Sequence, residues 1–98
     1  MAKKPEYIVP MVRRALQILH FLLEHRGSHG IGEIAQTLNF PKTSVFKILY
    51  TLESDRLVAK DAEDRYSLGL GFLPFEAEIR NRWNFTDVTR PIMGGASP

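Results

Sequence analysis

Apolar residues recur at helical spacing in the middle of the chain. Within residues 41–52, Val45, Ile48, Leu49 and Leu52 follow an i, i+3, i+4, i+7 pattern, which predicts a helix with one apolar side. At about 100° per residue, the opposite side carries polar and aromatic residues. These are Thr43, Lys47 and Tyr50, with Ser44 and Phe46 on the two flanks. We expect the helix to cover residues 41–53, with its apolar side in a core and its other side in solvent.

Two helices are predicted ahead of it. The first begins at Val9 or Pro10 and is expected to stop at Gly27, with Arg26 in its last turn. Its predicted apolar face consists of Val12, Ala15, Leu16, Leu19, Leu22 and Leu23, widened by Ile18. The second helix is expected to start after Gly30 as N-cap and to end at Asn39, which tolerates the left-handed conformation.

A short turn separates the second helix from the third. Pro41 disfavours helical geometry at Phe40 and is expected in the first turn of the third helix. Two helices joined by about three residues, the second with a polar outer face, indicate a helix-turn-helix.

The periodicity changes after the third helix. Residues 57–60 and 65–68 are strand-like runs on either side of the polar residues 61–64, which predicts a β-hairpin, or wing. Residues 72–83 then look helical, with Pro74 in the first turn. Their apolar side could pack on the same domain or on a second copy of the chain. It is formed by Phe72, Phe75, Ile79 and Trp83.

These elements predict a mainly α fold with a small β-hairpin: a winged helix-turn-helix, with a three-helix core, followed by a linker helix. The expected boundaries are a flexible arm at residues 1–8, the winged helix-turn-helix at 9–70 and a linker or dimerisation helix at 71–84. Residues 85–98 are expected to be a tail or the start of a missing effector domain.

Composition narrows the functional classes. Residues 1–50 hold seven Lys/Arg and three Asp/Glu, a charge of +4, whereas residues 51–98 hold six and eight, a charge of −2. A basic first half is a modest indication of a phosphate-rich partner, although an ordinary charged surface is the alternative. The chain has no Cys, and it has no run of the ~20 apolar residues that a membrane span needs. We therefore expect a cytoplasmic protein with no membrane partner.

The sequence gives only weak indications of catalytic or metal-binding groups. His20, His25 and His29 are expected to be exposed, because no Cys or suitably spaced carboxylate completes a ligand set. The acidic residues of the hairpin, Asp61, Glu63 and Asp64, are interpreted as a solvated turn. A small hydrolase using Asp or Glu with His is the enzymatic alternative, and it would need a pocket for which this chain leaves little room. We expect no enzymatic activity, no metal and no cofactor.

The chain from residue 9 to about residue 75 resembles the DNA-binding domain of the IclR family of prokaryotic transcriptional regulators. The matching segments are Val12-Arg13-Arg14-Ala15-Leu16-Gln17-Ile18-Leu19, Ile31-Gly32-Glu33-Ile34-Ala35, Phe40-Pro41-Lys42-Thr43-Ser44-Val45-Phe46-Lys47-Ile48-Leu49 with Tyr50-Thr51-Leu52, and Tyr66-Ser67-Leu68-Gly69. The resemblance implies a homodimer, formed through the first and linker helices, that reads a pseudo-palindromic operator. It also implies a regulator, here expected to be a repressor, whose small-molecule effector would bind a separate sensor domain.

Some positions depart from the family pattern. The family usually has Ser or Thr where Gly30 stands, Gly at Asn39 and Arg at Lys47, and the paired glycines at 94 and 95 do not fit the start of a sensor-domain helix. Lys47 lacks the forked geometry with which Arg reads guanine. The sequence therefore does not determine which base this position prefers.

The resulting hypothesis assigns roles in double-stranded DNA binding. Thr43, Lys47 and Tyr50 are expected to face base edges in the major groove, while Phe46 either touches a thymine methyl group or lies at the rim of the core. The wing and the helix starts are expected on the DNA backbone. The phosphate candidates are Lys42, Ser44, Arg13, Arg14, Gly30 and Arg65. The alternative is a winged helix that binds another protein, with Phe46, Tyr50 and the linker helix as its surface.

Overall fold

A computed structural model describes residues 7–83, and within them it confirms the predicted mainly helical fold with one β-hairpin. The elements are α1 (Pro10–Glu24), α2 (Ile31–Leu38), α3 (Lys42–Ser54), β1 (Val58–Lys60), β2 (Tyr66–Leu68), a 3-10 turn (Leu70–Phe72) and α4 (Leu73–Trp83). None of the helices in this part of the chain combines the length and the apolar character that a membrane crossing requires. The arm before residue 7 and the segment after residue 83 lie outside the described residues.

The core lies between α1, α2 and α3 and is closed by the hairpin. Each helix contributes an apolar stripe, and the two strands add one side chain each. The buried residues are Ile18, Phe21, Leu22, Ile34, Ala35, Val45, Ile48, Leu49, Val58 and Tyr66. Three helices and a hairpin that share one core hold the outer side of α3 in a fixed orientation.

The predicted apolar face of α1 was wrong in part. The buried stripe is Ile18, Phe21 and Leu22, whereas Leu16 and Leu23 are 49% and 64% exposed. Sequence periodicity could not separate the two, because α1 is apolar around more than half of its circumference. The side that meets α2, α3 and strand β2 is covered, whereas Leu16 and Leu23 belong to a second apolar stripe that the described residues leave exposed.

The end of α1 also differs from the prediction. The helix ends at Glu24, with His25 as its C-cap in an extended conformation (φ −119°), so Arg26 is not in the last turn. Gly27 lies in the following loop with φ +87°, a left-handed conformation that favours glycine. The loop that follows brings His29 beside Tyr66 of the hairpin.

The junction between α2 and α3 follows the predicted turn chemistry. Gly30 is the N-cap of α2, and Asn39 ends it in the left-handed conformation (φ 60°, ψ 47°). The Phe40 amide donates to the Ala35 carbonyl at 2.9 Å. Pro41 is the N-cap of α3, one residue before the expected first turn, with extended geometry (φ −63°, ψ 141°).

The wing is a two-stranded antiparallel sheet in which Ala59 pairs with Ser67. Its turn is held by Asp61, whose carboxylate accepts hydrogen bonds from the Glu63 and Arg65 amides at 2.8 and 3.1 Å. The Arg65 and Glu63 amides also lower the pKa of the Asp61 carboxyl. This agrees with the interpretation of residues 61–64 as a solvated turn.

The prediction of exposed histidines was wrong for His29. It is 8% exposed, and its backbone pairs with Tyr66 through two hydrogen bonds of 2.8 and 2.7 Å. His29 therefore adds a one-residue extension to the wing sheet. A single polar residue in a loop carries no periodicity, so only the hairpin's position revealed its burial.

The segment after the wing turns back against the end of α3. The Gly69 and Gly71 amides donate to the Leu57 and Arg56 carbonyls at 2.8 and 2.7 Å. A Cβ atom on either glycine would lie 2.4 or 2.5 Å from the Arg56 carbonyl oxygen, so only glycine fits. From this junction α4 begins at Leu73, because Phe72, predicted as its first residue, belongs to the 3-10 turn.

Candidate nucleic-acid interface

The outer side of α3 presents the side chains that the sequence assigned to base edges. Thr43, Lys47 and Tyr50 are exposed. Phe46 is 52% exposed, Tyr50 is 65% exposed, and their ring centroids lie 6.1 Å apart. About half of the Phe46 side chain is covered, so both of its interpretations, contact with a thymine methyl group and the rim of the core, stay predictions. An ammonium, a hydroxyl and two aromatic rings form one accessible surface.

The first turn of α3 has backbone amides without a capping side chain. Its N-cap is Pro41, which has no hydroxyl or carboxylate to accept the Lys42, Thr43 and Ser44 N–H groups. Such amides at the positive end of the helix dipole are suited to a phosphate oxygen. The geometry keeps Lys42 and Ser44 as candidates for backbone contact.

The start of α2 lies within reach of the same helix. Gly30 caps α2 without a side-chain hydrogen bond. The Lys42 side chain lies over the first turn of α2, since a Cβ on Gly32 would lie 3.8 Å from Lys42 Cε and 3.9 Å from Nζ. The Lys42 ammonium of α3 therefore lies close to the Gly30 end of α2. The sequence alone does not predict that these two groups are neighbours.

Arg65 is held against the loop that precedes α2. Its Nη2 donates to the Ser28 carbonyl at 2.8 Å and its Nε to the Ser28 hydroxyl at 3.3 Å. A Glu33 carboxylate oxygen lies 3.8 Å from Nη2. The wing cation therefore lies near Gly30, at the same edge of the domain.

His29 also lies at the edge of the domain formed by Arg65 and the start of α2. Its Nδ1 lies 2.9 Å from Glu33 Oε2 and its Nε2 lies 3.0 Å from the His25 carbonyl oxygen. Burial lowers the pKa of His29, but the hydrogen bonds to the His25 carbonyl and to Glu33, with the charge of Glu33, outweigh it and raise the pKa above 6.5. When it is protonated, His29 adds to the positive charge of Arg65 in offsetting the Glu33 carboxylate near the proposed phosphate contacts.

Arg13 and Arg14 have different surroundings although they are neighbours. The Arg13 side chain is exposed and forms no hydrogen bond or ion pair with the described residues. Arg14 is half-buried, with Nη1 donating to Ser44 Oγ at 3.2 Å and its guanidinium 5.3 Å from the centre of the Phe40 ring. Arg13 is free for a phosphate, and Arg14 links α1 to α3.

Within residues 7–83, nothing covers the apolar side of α4. Phe75, Ile79 and Trp83 are exposed, and Phe72 is half-buried. The other side carries the ion pairs Glu76–Arg80 and Glu78–Arg82. Beside Phe72, an apolar groove of about 440 Å³ runs between α1 and the wing, lined in part by Leu16, Leu19 and Leu23.

Residues 7–83 contain no cluster of three or more His, Asp or Glu side chains arranged to hold a metal ion. The sequence reasoning missed Phe40, Ser28 and Glu33 as partners of the interface residues. Only the His29–Glu33 spacing of four residues was a signal, and the predicted helix start between them obscured it.

The fold and the exposed α3 surface define the chain's class as a winged helix-turn-helix domain. Residues 11–62 match the model of the IclR helix-turn-helix domain, and the chain belongs to the IclR family of transcriptional regulators. This is a family of regulators rather than of enzymes. Over 82 residues the chain is 32% identical to the HTH-type transcriptional regulator KipR of Bacillus subtilis, covering 84% of this chain and 32% of KipR.

Solved structures of the family have the same fold. An IclR-type transcriptional regulator from Alicyclobacillus acidocaldarius is 36% identical, with a TM-score of 0.69 over 74% of this chain and 30% of that one. The Thermotoga maritima IclR structure matches with a TM-score of 0.70 at 24% identity, over 80% of this chain and 32% of that one. The chain spans about a third of the length of these relatives.

Proposed function

We propose that this chain binds double-stranded DNA in a sequence-specific manner and acts as a transcriptional repressor. The observation that carries the proposal is the outer side of α3, where Thr43, Lys47 and Tyr50 are exposed together on a helix whose other side is locked in the core. An α-helix fits the major groove, which presents a distinct pattern of donors and acceptors for each base pair.

In this proposal α3 reads the bases and its surroundings hold the backbone. Lys47 donates to an acceptor on a base edge, with Thr43 and Tyr50 beside it, and Phe46 packs on a thymine methyl group. The α3 amides with Lys42 and Ser44 contact one phosphate, while Gly30 at the start of α2 and Arg65 in the wing contact another. Arg13 and Arg14 contribute positive charge along α1.

A homodimer reading two halves of a pseudo-palindromic operator is the proposed assembly. Its support is the apolar side of α4 and the adjoining groove along α1, which nothing in residues 7–83 covers. The operator-bound dimer would occlude a promoter in the cytoplasm. A small-molecule effector would act only through a sensor domain outside the described residues.

A salt titration of binding to a short random duplex, followed by fluorescence anisotropy, tests the proposal. We expect the logarithm of affinity to fall with the logarithm of salt concentration by about 0.9 for each phosphate contacted. Selection from random sequences should then enrich a two-fold symmetric site. Binding that does not respond to salt, or no binding by the folded chain, would favour a winged helix that binds proteins.

A further inference from the structure

Arg14 lies between three parts of the helix-turn-helix. It projects from α1, its guanidinium faces the Phe40 ring in the turn at 5.3 Å from the ring centre, and its Nη1 reaches Ser44 Oγ in the first turn of α3 at 3.2 Å. The side chain is half-buried. These contacts connect residues thirty positions apart in sequence.

Val45 and Phe40 pack on the core at the start of α3, but few polar contacts fix this turn. Pro41 supplies no capping side chain, and Lys42 and Thr43 are exposed. On the α2 side, the turn is held by the hydrogen bond from the Phe40 amide to the Ala35 carbonyl. On the α1 side, Arg14 supplies the polar contact to this turn.

The direction of the hydrogen bond between Arg14 and Ser44 determines what else the Ser44 hydroxyl can bind. An arginine can only donate, so Ser44 Oγ is the acceptor in the contact with Arg14. The Ser44 hydroxyl keeps its own proton for a different acceptor. Beside the uncapped amides of α3, an oxygen of a DNA phosphate is an acceptor in the right place.

We infer that Arg14 is a positioning residue for DNA recognition: it fixes the turn and the first residues of α3 through Phe40 and Ser44, and it leaves the Ser44 hydroxyl free to donate to a phosphate. This inference rests on the proposed DNA binding. It differs from a charge contact because it needs the planar, forked guanidinium, which stacks on an aromatic ring and donates from its edge at the same time.

Charge-preserving substitutions distinguish a positioning role of Arg14 from a simple charge contact with DNA. Arg14→Lys keeps the charge but loses the stacked fork, and Arg13→Lys is the matched control on the adjacent, unpaired residue. The affinities of both variants are measured for a duplex that the wild-type chain selects from random sequence, and for a scrambled duplex of equal length. We expect Arg14→Lys to weaken binding to the selected duplex ~10-fold and to change binding to the scrambled duplex ~3-fold or less. Arg13→Lys keeps a charge directed at the DNA backbone, which carries no sequence information, so it should change both affinities by the same small factor and leave their ratio unchanged.

A double-mutant cycle tests the connection to Ser44. Ser44→Ala should weaken binding more in the wild-type background than in the Arg14→Lys background, because the positioned hydroxyl is already lost in the latter. Equal losses in the two backgrounds, or wild-type affinity of Arg14→Lys for the selected duplex, would overturn the inference.

A measurement without DNA distinguishes failure of this inference from failure of the proposed function. In amide NMR spectra of the free chain, Arg14→Lys should shift the resonances of Phe40 and of residues 42–45, whereas Arg13→Lys should not. If the wild-type chain selects no duplex, the proposed function fails. If the resonances of Phe40 and of residues 42–45 are unmoved in Arg14→Lys, the positioning role itself is refuted whatever the chain binds.

Discussion

Lys47 is the single ammonium on the outer side of α3, between Thr43 and Tyr50. Lys47→Ala removes the side chain proposed to contact a base edge, and we expect specific binding to weaken by ~1–3 kcal/mol. The measurement is the ratio of affinities for a selected and a scrambled duplex. Lys60→Ala removes an exposed cation from the wing and is the control, since it should leave that ratio unchanged. An unchanged ratio in Lys47→Ala would show that this side of α3 is not in the groove.

His29 gives the domain a pH-dependent contribution to stability. Its pKa in the folded chain is raised above 6.5, because its hydrogen bonds to the His25 carbonyl and to Glu33, with the Glu33 charge, outweigh the opposing effect of burial. The contribution is therefore complete below pH 6.5, the pKa of the unfolded chain, and is lost as pH rises through the higher folded-state pKa.

Urea unfolding of the wild type and His29→Gln from about pH 5.5 to about pH 8.5 measures this contribution. The difference in the free energy of unfolding should shrink as the pH rises. His20→Gln, which replaces an exposed histidine of α1, should show no such trend. A difference for His29→Gln that is constant over the range would show that folding does not change the pKa of His29.

At the scale of elements, the junction between α3, the wing and α4 depends on two glycines. Gly69→Ala or Gly71→Ala would place a methyl group 2.4 or 2.5 Å from the Arg56 carbonyl oxygen. We expect a loss of ~1–3 kcal/mol in the free energy of unfolding, because backbone must move to admit the methyl group.

Gly32→Ala is the matched control for this junction. Its methyl group would meet only the flexible end of Lys42, at 3.8 Å, and alanine favours the helix by ~0.5–1 kcal/mol over glycine. Thermal or urea unfolding of the three variants should therefore give changes of opposite sign. Equal effects at positions 32 and 69 would mean that the wing does not approach Arg56 as closely as the structure shows.

The elements also differ in how well the sequence predicted their ends. The capping residues Gly30 and Asn39 and the period of α3 were visible in the sequence because they act over a few neighbouring residues. The end of α1 was not, because the chain leaves the helix at Glu24 to pair His29 with Tyr66. That pairing is a contact between distant residues, and no local propensity reports it.

At the scale of the whole molecule, the uncovered apolar surface predicts self-association. Ile79→Glu would place a charge in the apolar side of α4, and we expect it to convert a dimer into a monomer in sedimentation experiments. Because Ile79 is 54% exposed, the domain should still fold.

Tyr50→Glu is the control for this substitution. Tyr50 is a similarly exposed apolar residue on the proposed DNA side of α3, so the variant should remain a dimer and lose DNA binding. A wild-type chain that is monomeric at tens of micromolar would contradict the prediction that α1 and α4 suffice for dimerisation.

The sequence by itself determined the class of fold, the order of the elements and the outer residues of α3. Periodicity, glycine and proline positions and short polar turns are local, and three helices of this length have few ways to share one core. The tertiary structure alone decided which side of α1 is buried, why Gly69 and Gly71 must be glycine, and that His29 is covered. It also gave Arg13 and Arg14 different surroundings, because the packing of α1 on α3 brings Phe40 and Ser44 to Arg14 alone of the two.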